Sequence, residues 1–396
     1  MKKLALSASL ALVLFNQAVA HDLSCPAPGT WVDGRSGKEM EARDVIRKMA
    51  GASAVLLGES HGIADIQLWQ ATTAAAVSAQ APVQYGYEMF PRSSQPSLNS
   101  WSAGELDFPK FLVASNWVTN WGFDSKAYEP ILRLPKIQSA PAKGLNIDRT
   151  LVQRVNSEGW ANIPEGEKKG LSDPAPAQNE YKAWLREVLD MKASMEKKPD
   201  PSKERKLDRF VEAQQVWDRA FAEGIKDALD QSPERLMIAF LGRGHVDFGY
   251  GAQHQLSDIG VNKVVSAVTL FDDGDCRLGH DAADRPVADF VYILPKTSAE
   301  IQGQDFERPR IGVFIEDAKD EGVGIIRVIE NSPADEAGFK TGDIVVQAAG
   351  KAVKTAADLG QTIRSHTWGA WLPFLVKRDG LTLELVAKLP VNPPKP

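Results

Sequence analysis

Six short apolar runs recur between residues 52 and 295, and polar stretches of helix length separate most of them. Runs that are apolar at successive positions are typical of strands buried on both faces of a sheet. Helix-length connections between such strands favour parallel pairing. We therefore predict an α/β fold, a mostly parallel sheet flanked by helices, with its strands at residues 52–58, 83–90, 142–148, 235–242, 263–271 and 288–295.

Two further regions have helical periodicity. Residues 64–80 are rich in alanine and predict a helix that covers the sheet. Residues 178–230 contain two stretches with large apolar residues at helical spacing and dense charge elsewhere, separated by the polar string KPDPSKE. We predict a helical hairpin there, within an insertion over about residues 160–230, and we interpret it as packing scaffold in preference to a lid or a partner surface.

The pattern changes after a polar segment without periodicity, which we interpret as a linker over residues 296–307. Beyond it, short apolar strands alternate with turn residues. We predict a small β-rich domain over residues 308–390, followed by a tail at residues 391–396.

The first twenty residues predict a secretory signal peptide. They carry two lysines, then an apolar stretch, and end in the small-residue string AVA. We expect cleavage after Ala20 and a periplasmic protein whose first domain covers residues 21–295. No later stretch is apolar over the ~20 residues that a membrane span needs, so we expect no span in the mature chain.

Charge and cysteine content limit the partners. The formal net charge is −6, which argues against a nucleic-acid partner. The two cysteines, Cys25 and Cys276, are too few for a thiolate metal site. In an oxidising compartment they form either a disulfide or two separate thiols, and the sequence leaves this open. It also leaves the oligomeric state open.

Charged side chains follow the ends of the predicted strands. The carboxyl ends of parallel strands share one edge of a sheet, and ligands bind at that edge. Two of the six histidines in the chain fall at these strand ends. Each residue could be a helix cap or a structural ion pair, but several in register at one edge favour a site. The candidates are Glu59, His61, Glu88, Arg92, Arg149, Arg243, His245 and Tyr250.

These residue types suit more than one chemistry. Two imidazoles with carboxylates suit a divalent metal, with His61, His245 and Glu88 as its ligands. Alternatively, one imidazole acts as a general base and the other imidazole orients it. Arginines suit an anionic group such as a propionate, and a tyrosine oxygen or an imidazole can ligate haem iron. Spacing alone does not choose among these.

Ordered strings of residues carry a family resemblance. They include GTWVDGRSG (29–37), VLLGESH (55–61), GYEMFPRSSQPSLNSW (86–101), GLNIDRTLVQRV (144–155) and GRGHVDFGYGAQHQL (242–256). The region from about residue 29 to 295 resembles the ChaN-like family of iron-regulated, haem-binding bacterial proteins. The resemblance implies an α/β fold and haem as the bound cofactor. Its motif residues fall on the strand-end candidates from Glu59 to His245, and Tyr250 is kept as a further haem-binding candidate.

The Gly-Glu-x-His string with a later glutamate and a later Gly-x-His also resembles the erythromycin-esterase-like and TIKI group. That resemblance implies a hydrolase in which His61 is the base or a metal ligand. Glu59, Glu88 and His245 would surround it.

The C-terminal region resembles a bacterial periplasmic PDZ domain. The string NSPADEAGFKTGDIVVQAAGKAV (331–353) and the later KRDG (377–380) carry the likeness. The resemblance implies binding of extended peptides, often free C-termini, as an added strand. Backbone N–H groups beside a glycine can converge on a carboxylate. We expect this turn at Arg310, Ile311, Gly312, Val313 and Phe314.

Together these features predict an exported haem- or iron-binding protein for iron acquisition or haem handling, with a PDZ domain that docks a peptide or a protein C-terminus. One alternative is a metal-dependent or His/Glu-dependent peptidase or esterase. A second is a non-catalytic adaptor. The sequence leaves open whether the chain is an enzyme.

Overall fold

The computed structural model describes residues 26–195, 203–272, 278–295, 310–318, 322–364, 366 and 369–389. The predicted signal peptide, linker and tail lie outside these ranges, as do Cys25 and Cys276. Strands are β1 (Trp31–Asp33), β2 (Glu39–Met40), β3 (Ala54–Glu59), β4 (Val83–Pro91), β5 (Ala142–Asn146), β6 (Leu236–Gly242), β7 (Val264–Phe271), β8 (Phe290–Leu294), β9 (Val313–Asp317), β10 (Val323–Val328), β11 (Ile344–Ala348), β12 (Lys351–Ala352), β13 (Trp371–Arg378) and β14 (Leu381–Lys388).

Helices flank both sheets. In the described ranges they are α1 (Ala42–Ala50), α2 (Ala64–Ser78), α3 (Gln95–Ser102), α4 (Phe108–Ala114), α5 (Trp117–Asn120), α6 (Ser125–Gln138), α7 (Arg149–Glu158), α8 (Asn179–Met195), α9 (Lys203–Gln231), α10 (Ala252–Asp258), α11 (Pro333–Glu336) and α12 (Ala356–Arg364).

The first sheet has the order β2-β1-β8-β7-β3-β6-β4-β5. Its strands from β3 to β8 pair in parallel, and β1 adds antiparallel to β8. The predicted α/β class and all six predicted strands are confirmed. The register sets Glu59 of β3 beside Gly242 of β6, and Tyr87 of β4 beside Phe240 of β6. The ends of these three central strands therefore lie side by side.

The core has two layers because the central strands are buried on both faces. In β3, Val55 and Leu57 face the core under α1, α2 and α6, whereas Ala54 and Leu56 face the core under α9 and α10. This explains the continuous apolar runs in the sequence.

The predicted helical hairpin consists of α8 and α9. Only part of it is an insertion, because Phe221 and Ile225 near the C-terminal end of α9 pack directly on the sheet. The hairpin is therefore joined to the main core.

The second sheet is antiparallel, with the order β14-β13-β11-β10-β9 and with β12 paired to β11. It packs with α11 and α12 around its own core, which includes Val323, Leu359 and Phe374. The predicted β-rich C-terminal domain is confirmed. No helix among the described residues has both the length and the apolar character to cross a membrane.

A substitution at Gly144 in β5 tests how closely the backbone of β4 packs against the edge strand. A Cβ at this position would lie 2.7 Å from the carbonyl oxygen of Pro91 and 3.0 Å from that of Phe90. Backbone atoms cannot give way cheaply, so we expect Gly144→Ala to lower the free energy of unfolding of the first domain by about 1–3 kcal/mol. Chemical denaturation measures this. Gly166→Ala is the matched control, since a Cβ there meets nothing within 4 Å, and equal stability losses in both variants would contradict the packing argument.

Candidate functional site

The last residue of β3, Glu59, is a buried carboxylate with three hydrogen-bond donors. It accepts from His61 Nδ1 at 2.8 Å, from Gln67 Nε2 at 2.8 Å and from the Tyr128 hydroxyl at 2.9 Å. The Tyr128 oxygen in turn accepts the Gly62 backbone N–H at 2.9 Å. Since a carboxylate accepts, His61 carries its proton on Nδ1 and leaves Nε2 for a ligand or a proton.

Glu88 of β4 lies at the centre of the site. Its Oε2 accepts the backbone N–H of Gly242, and its Oε1 lies 3.8 Å from His245 Nε2. A Cβ on Gly242 would lie 2.7 Å from His61 Cε1 and 3.3 Å from Glu88 Oε2. The glycine therefore leaves the room in which the imidazole of His61 and this carboxylate meet. The structure thus places Glu59, His61, Glu88 and His245 together at the ends of the central strands.

The second imidazole is fixed by the helical hairpin. His245 Nδ1 lies 2.7 Å from Asp218 Oδ1 on α9, and the Tyr181 hydroxyl of α8 donates to Asp218 Oδ2 at 2.9 Å. His245 and Asp218 are both buried. We call the set Glu59, His61, Glu88, His245 and Asp218 the polar floor.

Asp218 was missed by the sequence analysis. A signal was present, because Val211, Asp218, Phe221 and Ile225 fall on one stripe of α9 that is otherwise apolar. A carboxylate in such a stripe is costly unless it is paired. Gln67, one turn into α2, had no comparable signal.

Aromatic rings flank His61. The ring of Trp121 meets it edge-on with centroids 4.7 Å apart, and the Phe123 ring lies at 5.5 Å. Trp121 is half-buried and Phe123 is exposed. The side chain of His61 is itself 35% exposed, so this end of the polar floor reaches solvent between aromatic groups.

Aromatic rings also flank His245. Its ring lies 5.8 Å from that of Trp217 and 4.9 Å from that of Phe221. Trp184 of α8 approaches the same segment, because a Cβ on Gly244 would touch its ring at 3.9 Å. Trp184 and Trp217 are half-buried, so the hairpin supplies aromatic surface beside the floor.

The two imidazoles hold protons more tightly than usual. Burial lowers the pKa of His61, but the hydrogen bond to Glu59 and the charge of Glu88 outweigh it and leave the pKa raised. Burial likewise lowers the pKa of His245, and the charge and hydrogen bond of Asp218 raise it above its usual value. Burial raises the pKa of Asp218, and His245 offsets part of that effect.

Two predicted arginines are held by protein acceptors. Arg243 donates to both carboxylate oxygens of Asp247 and to the carbonyl oxygen of Thr269. Arg92 donates to the carbonyl oxygen of Ala220 at 3.0 Å. These guanidinium groups therefore brace the strand ends.

The other two predicted residues lie outside the floor's hydrogen bonds. Arg149 is exposed at the first position of α7. The Tyr250 hydroxyl donates to Asp281 Oδ2 at 2.7 Å, and its ring stacks on Tyr181 at 5.5 Å. Tyr250 thus supports the residue that holds Asp218. Tyr87 is buried in the core, where its hydroxyl donates to a backbone carbonyl oxygen.

The predicted divalent-metal site at His61, His245 and Glu88 is not supported. Within the described ranges, no three His, Cys, Asp or Glu side chains are grouped to hold a metal ion. Instead, the Nδ1 atom of each imidazole is paired with its own carboxylate, that of His61 with Glu59 and that of His245 with Asp218.

Comparison with known proteins identifies both parts of the chain. Residues 45–256 match the family described as "Haem-binding uptake, Tiki superfamily, ChaN". The chain belongs to this family. Residues 309–389 match the PDZ domain. All residues of the polar floor fall within the first match, and the predicted carboxylate-binding turn falls within the second.

A solved structure of a ChaN protein supports the fold. The structure titled "Cofacial heme binding to ChaN of Campylobacter jejuni" is 20% identical, with a TM-score of 0.51, and the match covers 66% of this chain and 95% of that one. Two curated relatives match over short segments. They are the serine protease HTRA1 of Xenopus tropicalis (36% over 67 residues, 17% of this chain and 12% of the relative) and the putative serine protease HhoB of Synechocystis (42% over 59 residues, 15% and 14%). The chain therefore spans only a small part of these relatives.

Asp218→Asn tests the pairing in the polar floor. The amide removes the negative charge that raises the pKa of His245 but leaves the burial that lowers it, so we expect the His245 pKa to fall. NMR titration of the histidine ring protons measures this. His280, which is exposed and lies against the carbonyl oxygen of Leu278, is the internal control. An unchanged His245 pKa would contradict the pairing.

Proposed function

We propose that the chain is an exported haem-binding protein that takes part in iron acquisition or haem handling, and that its PDZ domain docks a peptide or a protein C-terminus. Membership of the ChaN family supports haem as the ligand. The apolar, lysine-led segment at residues 1–20 supports export.

The observation that carries the proposal is the combination of an accessible imidazole with two aromatic rings, Trp121 half-buried and Phe123 exposed. Haem is a flat apolar ring with an iron at its centre and two carboxylates at its edge. Trp121 and Phe123 offer apolar surface beside His61, and His61 has Nε2 available because Nδ1 is held by Glu59. Imidazole nitrogen is an established haem ligand. Exposed Arg149 could pair with a propionate.

Haemin titration of residues 21–396, followed in the Soret region, tests this function. We expect a saturable band, and we expect His61→Ala to weaken the affinity at least tenfold, which is about 1.4 kcal/mol. His280→Ala is the matched control, since this exposed histidine lies outside the polar floor. A featureless rise without saturation would overturn the haem proposal. An unchanged affinity in His61→Ala would exclude His61 as the ligand.

The same titration has a defined pH dependence. Only the neutral imidazole can ligate iron, and the pKa of His61 is raised. We expect the haemin affinity to fall as the pH is lowered through the His61 pKa, and to be regained above it. A haemin affinity of the wild type that does not change with pH across this range would contradict ligation by His61.

The turn before β9 supports peptide docking. The carbonyl oxygens of Ile311 and Gly312 accept the N–H groups of Ala334 and Ile329, at 2.7 and 2.8 Å. The N–H groups of Ile311 and Gly312 themselves have no backbone acceptor among the described residues. They are available for a carboxylate. Gly312 has φ +83°, and a Cβ there would lie 2.3 Å from Ser332 Cβ, so this turn requires glycine.

Hydrolysis is a second candidate function, favoured by one observation. Each of two imidazoles is backed by a buried carboxylate, and His245 Nε2 faces a third carboxylate, Glu88, at 3.8 Å. Such pairs can hold and move a proton during attack of water on an ester or amide. His61 would act as the base, with Glu59 fixing its tautomer.

Glu88→Gln tests this alternative. If the floor hydrolyses esters or peptides, the neutral amide should lower turnover at least 10²-fold, because a positioned proton-transfer group typically contributes that much. A panel of chromogenic esters and peptides gives the readout, and circular dichroism checks the fold. Glu384→Gln, on exposed β14, is the control. Turnover that survives in Glu88→Gln would exclude the floor as its site.

A further inference from the structure

The two faces of strand β9 differ in character. The side chains of Val313 and Ile315 pack against the core of the second domain. Phe314 and Glu316 alternate with them and are exposed on the opposite face, Phe314 at 46%. Since β9 is the last strand of its sheet in the described part of the chain, its outer edge is open to an added strand.

Among the residues that the structure describes, the ring of Phe314 is contacted from the side of β10. Its cross-strand partner in β10 is Arg327, whose guanidinium carbon lies 3.9 Å from the centre of the ring. This contact fixes the ring on the side of β10. The flank of Phe314 toward the open edge is left for an incoming side chain.

Glu316 has no cross-strand side chain beside it. Its partner in β10 is Gly324. The carboxylate is exposed and forms no ion pair with the described residues of the second domain, so its charge is available to a neighbour on the open side. A cross-strand pair of opposite charge is stabilising, and a pair of like charge is destabilising.

The register of a docked C-terminus follows from the turn. A carboxylate bound at the N–H groups of Ile311 and Gly312 sets the last residue of the peptide beside Val313. An antiparallel strand then places the second-to-last residue beside Phe314 and the fourth-to-last beside Glu316. Directly paired residues share a face of the sheet, so these two peptide side chains lie on the exposed face.

We infer that the groove selects protein C-termini with an aromatic second-to-last residue and a lysine or arginine fourth from the end. The aromatic ring of the peptide would pack on the flank of Phe314 toward the open edge and form a cation–π interaction with the guanidinium of Arg327. The basic residue would pair with Glu316. This inference rests on the proposed docking function and names the chemistry of its partner.

Four peptides test the inference by fluorescence anisotropy with residues 21–396. They end in Lys-Ser-Trp-Val, Lys-Ser-Ala-Val, Ala-Ser-Trp-Val and Ala-Ser-Ala-Val. We expect tryptophan to improve the affinity about threefold to tenfold over alanine, the range of an aromatic pair. We expect lysine to improve it about twofold to fivefold, less at high salt.

Variants assign each preference to its residue. Phe314→Ala should remove the tryptophan preference and keep the lysine preference, whereas Glu316→Gln should do the reverse. Trp371→Ala is the matched control, because Trp371 is also an exposed ring beside a cation, Lys388 at 5.2 Å, but on β13. It should change neither preference.

The outcomes separate the inference from the docking function beneath it. If the Ala-Ser-Ala-Val peptide binds and Gly312→Ala abolishes that binding, docking stands. Equal affinities for all four peptides would then overturn the inference alone, as would a tryptophan preference that survives in Phe314→Ala. If none of the peptides binds the wild type, both proposals fail.

Discussion

The buried carboxylate of Glu59 is the interaction on which the first domain's site depends. A buried charge is costly unless it is hydrogen-bonded, and here three donors come from the following loop, from α2 and from α6. One side chain thus ties the end of the central strand to two helices of one layer. His61 is fixed by the same contact, so the orientation of the accessible imidazole follows from the satisfaction of a buried charge.

The other layer repeats this solution with different elements. His245 is fixed by Asp218, which is carried by α9 and satisfied in turn by Tyr181 of α8. The hairpin, which the sequence suggested to be scaffold, therefore contributes directly to the polar floor. Glu88 lies between the two halves, and Gly242 allows them to approach. The site is in effect an assembly of two layers of helices across the edge of one sheet.

The sequence predicted the strands well because burial on both faces leaves a continuous apolar run. It missed β1 and β2, since strands of three and two residues carry no periodic signal. Strand-end residues such as Glu59 and His245 were found because parallel strands end at a common edge. Asp218 was not, because its role depends on how α9 packs. The sequence suggested that arginines at the strand ends suit an anionic group, but it could not give their partners within the protein, Asp247 for Arg243 and the carbonyl oxygen of Ala220 for Arg92, because such pairings are set by tertiary structure.

The open edge of β9 has a consequence for solubility. An unpaired strand is a template for aggregation, and proteins commonly guard such edges with charge. The edge ends in two exposed carboxylates, Glu316 and Asp317. A second copy of the domain that paired through this strand would bring acidic side chains into the same short ladder, where like charges repel. The acidic residues that suit this edge to a basic foreign chain therefore also discourage the protein from polymerising through it.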